Sequence, residues 1–188
     1  MGLNSSFRVI AILWVCAFWS AIVCAQTAID LDGHPVDPLT ADSGKVVVLV
    51  FLRRDCPVSG RYAPVIQQIS RRYATSANFF LVYPDKSDSS EAIRKSAADY
   101  GYRLPVVRDP ERSLVKLSHV QITPEVAVFH NRKLVYDGRI DDWYVDITRA
   151  RPAPTTHELE DAIRAAQTGS SLAHNEVRGV GCYIADVE

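Results

Sequence analysis

Residues 45–52 (KVVVLVFL) form a continuous run of β-branched and large apolar side chains. The run lacks the alternation of a one-sided strand, so it is expected to be a central strand covered on both faces. Past Cys56-Pro57, the residues Val58, Tyr62, Val65, Ile66, Ile69 and Tyr73 recur at intervals of three and four. That spacing predicts a helix to about Tyr73, with Pro57 in its first turn and Pro64 as a kink. Residues 78–83 (NFFLVY) read as a second buried strand. Asp88 with Glu91 forms a capping box for a helix through Tyr100, closed by Gly101. Asp109-Pro110 opens a short helix carrying Leu114, Leu117 and Val120.

Residues 125–130 and 133–136 are two strands joined at Asn131-Arg132 as a hairpin, and Thr155 with Glu158 caps a last helix carrying Leu159, Ala162, Ile163 and Ala166 and ended by Gly169. Short extended pieces flank the turn signal Asp32-Gly33 near the start. The order β-α-β-α-(α)-β-β-α predicts an α/β fold with a central mixed sheet flanked by helices. Residues 141–154 form a long link rich in Pro, Asp and aromatics, and residues 170–188 form a tail ending in Gly181-Cys182-Tyr183-Ile184 and four further residues.

The first 25 residues follow a different pattern. One cation and no acid precede the uncharged apolar run 9–23, and Val23-Cys24-Ala25 sets small or medium residues where a signal peptidase cuts. This is the layout of an export signal, residues 1–25, cleaved after Ala25. A lipoprotein site at Cys24 would place the bulky Val23 just before it, and an uncleaved anchor would be near the short limit of a membrane span, ~17 residues. Export to the periplasm or the exterior is therefore expected, with a domain over residues 26–169 and a tail over 170–188. At 188 residues the chain has room for one domain. Its net charge of −1, with no Lys or Arg run longer than a pair, argues against nucleic acid, or any membrane beyond the export step, as the partner.

Cleavage would remove Cys16 and Cys24, leaving Cys56 and Cys182. Two cysteines in an exported chain suggest a disulfide or a redox couple. Cys56 lies between the end of a central strand and a helix N-terminus, where unpaired N–H groups and the helix dipole favour a thiolate. Arg53 and Arg54 are close by in sequence. The five histidines (His34, His119, His130, His157 and His174) show no ligand spacing, so no metal and no organic cofactor is implied. Trp143 and Tyr144 either line a substrate face or pack over the sheet.

The 45–52 strand, then Asp-Cys-Pro-Val-Ser, then a helix with proline eight residues past the cysteine, resembles the thioredoxin superfamily. The segment Thr123-Pro124-Glu125 is similar to that superfamily's cis-proline loop. Arg139-Ile140-Asp141-Asp142, Pro154-Thr155-Thr156-His157 and the terminal Gly-Cys-Tyr-Ile resemble a bacterial group of redoxin-domain proteins, related to the alkyl hydroperoxide reductase/thiol-specific antioxidant family. The resemblance spans residues 28–184 and implies a thioredoxin-like fold. It makes Cys56 the attacking thiolate and Pro124 a cis residue facing it. It gives Thr123 backbone groups that pair with an extended substrate as an added strand.

The departures are specific. Ser59 stands where thioredoxins carry their second cysteine; its hydroxyl can donate to a thiolate but cannot resolve a disulfide. Arg53 and Leu49 stand where peroxiredoxins carry Thr and Pro, and Gly60 stands where copper-delivering relatives carry a second cysteine. Cys182 is then the candidate resolving thiol, with a static or interchain disulfide as the alternative. The expected activity is that of a thiol–disulfide oxidoreductase exchanging with a thiol or disulfide protein and an external thiol reductant. A thiol peroxidase with an antioxidant role, and a non-catalytic binding or chaperone module on the same fold, are the alternatives.

Overall fold

Val46–Phe51 are each at most 1% exposed, because alternate residues of this strand enter two different cores. Val46, Val48 and Val50 face one cluster, while Val47, Leu49 and Phe51 face the other. Both faces being covered is the reason for the unbroken apolar run. The computed structural model describes residues 28–41 and 44–184. Residues 1–25, with Cys16, Cys24 and the expected cleavage position, lie outside the described residues.

In chain order the elements are β1 (Ala28–Asp30), β2 (Pro35–Val36), a 3-10 turn (Pro38–Ala41), β3 (Val46–Phe51), α1 (Pro57–Arg72), β4 (Ala77–Tyr83), α2 (Ser90–Asp99) and β5 (Val106–Arg108). There follow α3 (Ser113–Ser118), β6 (Ile122–Thr123), β7 (Glu125–His130), β8 (Lys133–Gly138), β9 (Tyr144–Asp146), β10 (Arg149–Ala150), α4 (Glu158–Thr168), β11 (Glu176–Val177) and β12 (Cys182–Tyr183). Eight strands make one mixed sheet in the order β11-β8-β7-β3-β4-β5-β1-β2. β3, β4 and β5 run parallel, and β7 returns antiparallel beside β3. Apolar residues of α1 and α4 pack on one face of the sheet, and those of α3 and the 3-10 turn pack on the other. This is a thioredoxin-like α/β fold. No helix among the described residues is long and apolar enough to cross a membrane.

Local details both follow and depart from expectation. The β7–β8 hairpin turns at Asn131 and Arg132, both with positive φ (51° and 60°), as a tight primed turn requires. α1 continues through Pro64 as one helix. The cap of α2 is Ser89 rather than Asp88: the Ser89 hydroxyl accepts from the Ala92 N–H at 3.1 Å. Asp88 instead pairs with Arg54 at 2.8 Å. α4 has His157 at its N-cap position, with no side-chain cap. Thr155 turns its N–H and hydroxyl to Asp142 (2.5 and 2.6 Å), which holds the link against the helix start. Val120 lies past the end of α3, which stops at Ser118 as His119 turns left-handed.

Two stretches expected to be irregular contain strands. The link carries the β9–β10 hairpin, whose Trp143 and Tyr144 pack on the Tyr62 ring of α1 at centroid distances of 5.4 and 5.9 Å. The Tyr62 hydroxyl donates to buried Asp141 at 2.6 Å beneath this cluster. The tail adds β11 in parallel to β8, with Val177 opposite Gly138. That register needs glycine: Gly138 has φ 141°, and a Cβ there would stand 2.1 Å from the Val177 carbonyl oxygen. Gly138→Ala is therefore expected to loosen β11 and to cost about 1–3 kcal/mol of stability. Urea unfolding, with limited proteolysis of the tail, measures both.

Candidate active site

Cys56 is the residue at which the extended chain turns into α1, with φ −90° and ψ 112°, and Pro57 sits where its missing N–H costs nothing. The side chain points inward: Cys56 is 2% exposed and belongs to the core cluster of Val58, Tyr62 and Ile66. Its thiol donates to the Thr123 carbonyl oxygen at 3.2 Å. The Thr123–Pro124 peptide is cis, as the resemblance implied.

The edge of Thr123 expected to receive a substrate is occupied by the chain itself. β12 runs antiparallel to β6, pairing Cys182 with Thr123 and Tyr183 with Ile122. The Thr123 hydroxyl donates to the Cys182 carbonyl oxygen at 3.2 Å, and the Ile184 N–H donates to the Gln121 carbonyl oxygen at 2.9 Å. Thr123 thus touches Cys56 through its carbonyl and Cys182 through its hydroxyl. Both cysteines are free thiols, and each side chain shifts the titration of the other.

Glu125, Arg178 and Gly181, to which the sequence alone assigned no part in the site, hold this arrangement together with Arg53. Glu125, wholly buried, accepts from the Gln121 and Ile122 N–H groups (3.0 and 3.3 Å) on one side and from the Gly179 N–H (2.8 Å) on the other. Arg178 donates to the His119 carbonyl oxygen at 3.0 Å and faces Glu125 and Asp137 at 3.6 and 3.7 Å. Arg53 donates to the Tyr183 carbonyl oxygen at 2.9 Å while paired with Asp55 at 2.8 Å. Gly181 passes so close that a Cβ would lie 1.9 Å from the Thr123 carbonyl oxygen. A lone acid heading the apolar strand EVAVF, and the Gly-x-Gly of the tail, were the signals available for these roles.

The electrostatics divide the two thiols. Burial pushes Cys56 up, but the side chains and backbone N–H groups of Cys182 and Ser59, placed to donate to a thiolate at this position, outweigh it. The Cys56 pKa therefore lies below the ordinary thiol value. The buried Ser59 hydroxyl has no formed hydrogen bond in the thiol state, so it is free to turn to the sulfur when the charge appears. Cys182 moves the other way: burial first, then the Cys56 side chain and its charge beside it, push it up to about 12. The pair gives up its first proton from Cys56.

The histidines lie elsewhere. His157 stands at the start of α4 and lines a surface groove with Trp143 and Arg164, and that groove contains neither cysteine. Among the described residues, no group of His, Cys, Asp or Glu is arranged to hold a metal ion.

Residues 44–134 match the model of a thioredoxin-like family. A similar solved structure is that of an uncharacterized conserved protein from Geobacillus kaustophilus, with a TM-score of 0.71 at 23% identity, covering 84% of this chain and 86% of that one. A hypothetical protein from Sinorhizobium meliloti 1021 gives 0.68 at 20% identity, covering 84% and 88%. A secreted disulfide oxidoreductase of Mycobacterium tuberculosis gives 0.52 at 19% identity, covering 74% and 94%. No curated protein sequence matches the chain.

The influence of the Cys182 side chain on Cys56 sets a titration test. Cys56 is expected to ionise below the range of a free thiol, and Cys182→Ala, which removes a donor to its thiolate, to move that midpoint upward. Thiolate ultraviolet absorbance against pH, on the reduced proteins, reads both values. An unmoved midpoint would mean that Ser59 and the helix start suffice.

Proposed function

The chain carries a thioredoxin-like domain, and on that premise we propose that it is a thiol–disulfide oxidoreductase acting outside the cytoplasm, with Cys56 as attacking thiolate and Cys182 as resolving thiol. The observation that carries this reading is the pairing of Cys182 opposite Thr123, the residue whose carbonyl receives the Cys56 thiol, with the Cys56 pKa lowered and the Cys182 pKa raised. In the oxidising half, the Cys56 thiolate attacks one sulfur of a disulfide. The other sulfur leaves with the bonding electron pair, and a mixed disulfide forms. Cys182, losing its proton, then attacks the Cys56 sulfur; the substrate leaves as a second thiolate and the Cys56–Cys182 disulfide remains. Two electrons have passed to the substrate, and an external thiol reductant restores the pair. Ser59 and the helix N-terminus stabilise the Cys56 thiolate in each step.

Export rests on residues 1–25 and on the need of such a couple for a compartment where disulfides persist. Partners are a thiol or disulfide protein and a thiol reductant.

One observation favours a second reading. Cys56 lies beneath β12 and is 2% exposed, which admits a hydroperoxide more readily than a folded disulfide substrate. As a thiol peroxidase, the Cys56 thiolate would attack the peroxide oxygen to give a sulfenic acid and release water or an alcohol. Cys182 would then displace water from the sulfenic sulfur to form the same disulfide. Arg53 and Leu49 stand where that chemistry usually has Thr and Pro, and Arg53 is occupied with the Tyr183 carbonyl.

Intact mass and peptide mapping after stoichiometric oxidant test both readings. The expected product is a reversible loss of two hydrogens at Cys56 and Cys182, abolished by Cys56→Ser. Faster oxidation by glutathione disulfide than by hydrogen peroxide supports the first reading, and the reverse order the second. Unchanged thiols under both oxidants would leave a non-catalytic module.

A further inference from the structure

The disulfide form presents its two sulfurs to solvent unequally. Exchange requires the incoming sulfur to line up with the bond it breaks, approaching from the side away from the leaving sulfur. With β12 docked, approach to Cys56 from the side away from Cys182 runs through the core: Cys56 is 2% exposed, lies among Val58, Tyr62 and Ile66, and touches the Thr123 carbonyl. Cys182 is partly exposed, on β12 of the two-stranded β6–β12 ladder. Beside it Tyr183 is 71% exposed, an aromatic surface at the point of approach.

Building on the two-cysteine cycle proposed above, we infer that Cys182 is the sulfur through which the oxidised protein exchanges with an external dithiol protein, and that Cys56 is the leaving group. The partner's thiolate bonds to the Cys182 sulfur, the Cys56–Cys182 bond breaks, and its electron pair stays on Cys56 as a thiolate. The partner's second thiolate then attacks its own sulfur in the mixed disulfide, and Cys182 departs and takes up a proton. The partner ends as a disulfide, and two electrons have entered the pair.

Two features of the site serve this order of events. The group that leaves, Cys56, is received by the Ser59 N–H and hydroxyl, and a better-stabilised thiolate leaves faster. The tail that carries the partner in the mixed disulfide stays docked, because its hold on the domain does not involve the sulfur. Glu125 keeps the Gly179 N–H, Arg53 keeps the Tyr183 carbonyl and Gln121 keeps the Ile184 N–H. The arrangement inverts the usual thioredoxin-fold geometry, in which the nucleophile at the helix start is also the sulfur that meets the partner. Here the two tasks fall on different cysteines, one buried and one on a strap.

The test uses the full chain, oxidised to the Cys56–Cys182 disulfide, exposed briefly to limiting glutathione, quenched in acid and peptide-mapped. The expected product carries glutathione on Cys182 with Cys56 free, exceeding the converse adduct by about tenfold or more. Glutathione on Cys56 with Cys182 free, or equal shares on both, overturns the inference while leaving the two-cysteine cycle standing. Failure of the disulfide to form at all removes the cycle, and this inference with it.

Discussion

A wholly buried carboxylate ties the two halves of the site together. Glu125 follows the cis peptide directly and accepts from the N–H groups of Gln121 and Ile122 before it and of Gly179 in the tail. A buried charge is tolerated only where its lone pairs are met, and here backbone donors and Arg178 meet them. The same bonds fix the level at which the tail crosses β6. That level sets Cys182 opposite Thr123, and Thr123 is the residue whose carbonyl receives the Cys56 thiol. The redox pair therefore depends on a polar contact that contains neither sulfur.

Around that contact, the cysteines differ through their surroundings rather than their chemistry. Cys56 lies past the end of a buried strand and starts a helix, so N–H groups face it and its charge is favoured. Cys182 lies on a strand, where burial and the Cys56 charge beside it hold its proton on. Cys182 set opposite the residue that holds the Cys56 thiol is an arrangement from which a disulfide forms with little motion once an oxidant takes the two electrons. It also means that the edge of the cis-proline loop is filled by the protein's own tail. Any extended substrate pairing with Thr123 must first displace β12 against Gly179, Tyr183 and Ile184.

Much of the frame was legible along the chain. The 45–52 run announced a two-faced strand, the three-and-four spacing after Cys56 announced α1, and Asn131-Arg132 marked the β7–β8 turn. Capping was misplaced by one or two residues because Asp88 and Thr155 have polar competitors from distant segments, Arg54 and Asp142. β5, β11 and β12 are two or three residues long, too short to show a period, and exist because a neighbouring strand offers them hydrogen bonds.

The sequence by itself determined the layers of the fold, the position of Cys56 at a helix start and the presence of a second cysteine on the tail. Each follows from local spacing, or from which residue types a helix start or a buried strand accepts. Only the tertiary structure decided that the tail is a docked strand, that Cys182 meets Cys56, and that one sulfur is buried and the other partly exposed. These rest on close approaches such as that of Gly181 to the Thr123 carbonyl and on the acceptor supplied by Glu125. Contacts between residues so far apart in the chain leave no periodic trace in it.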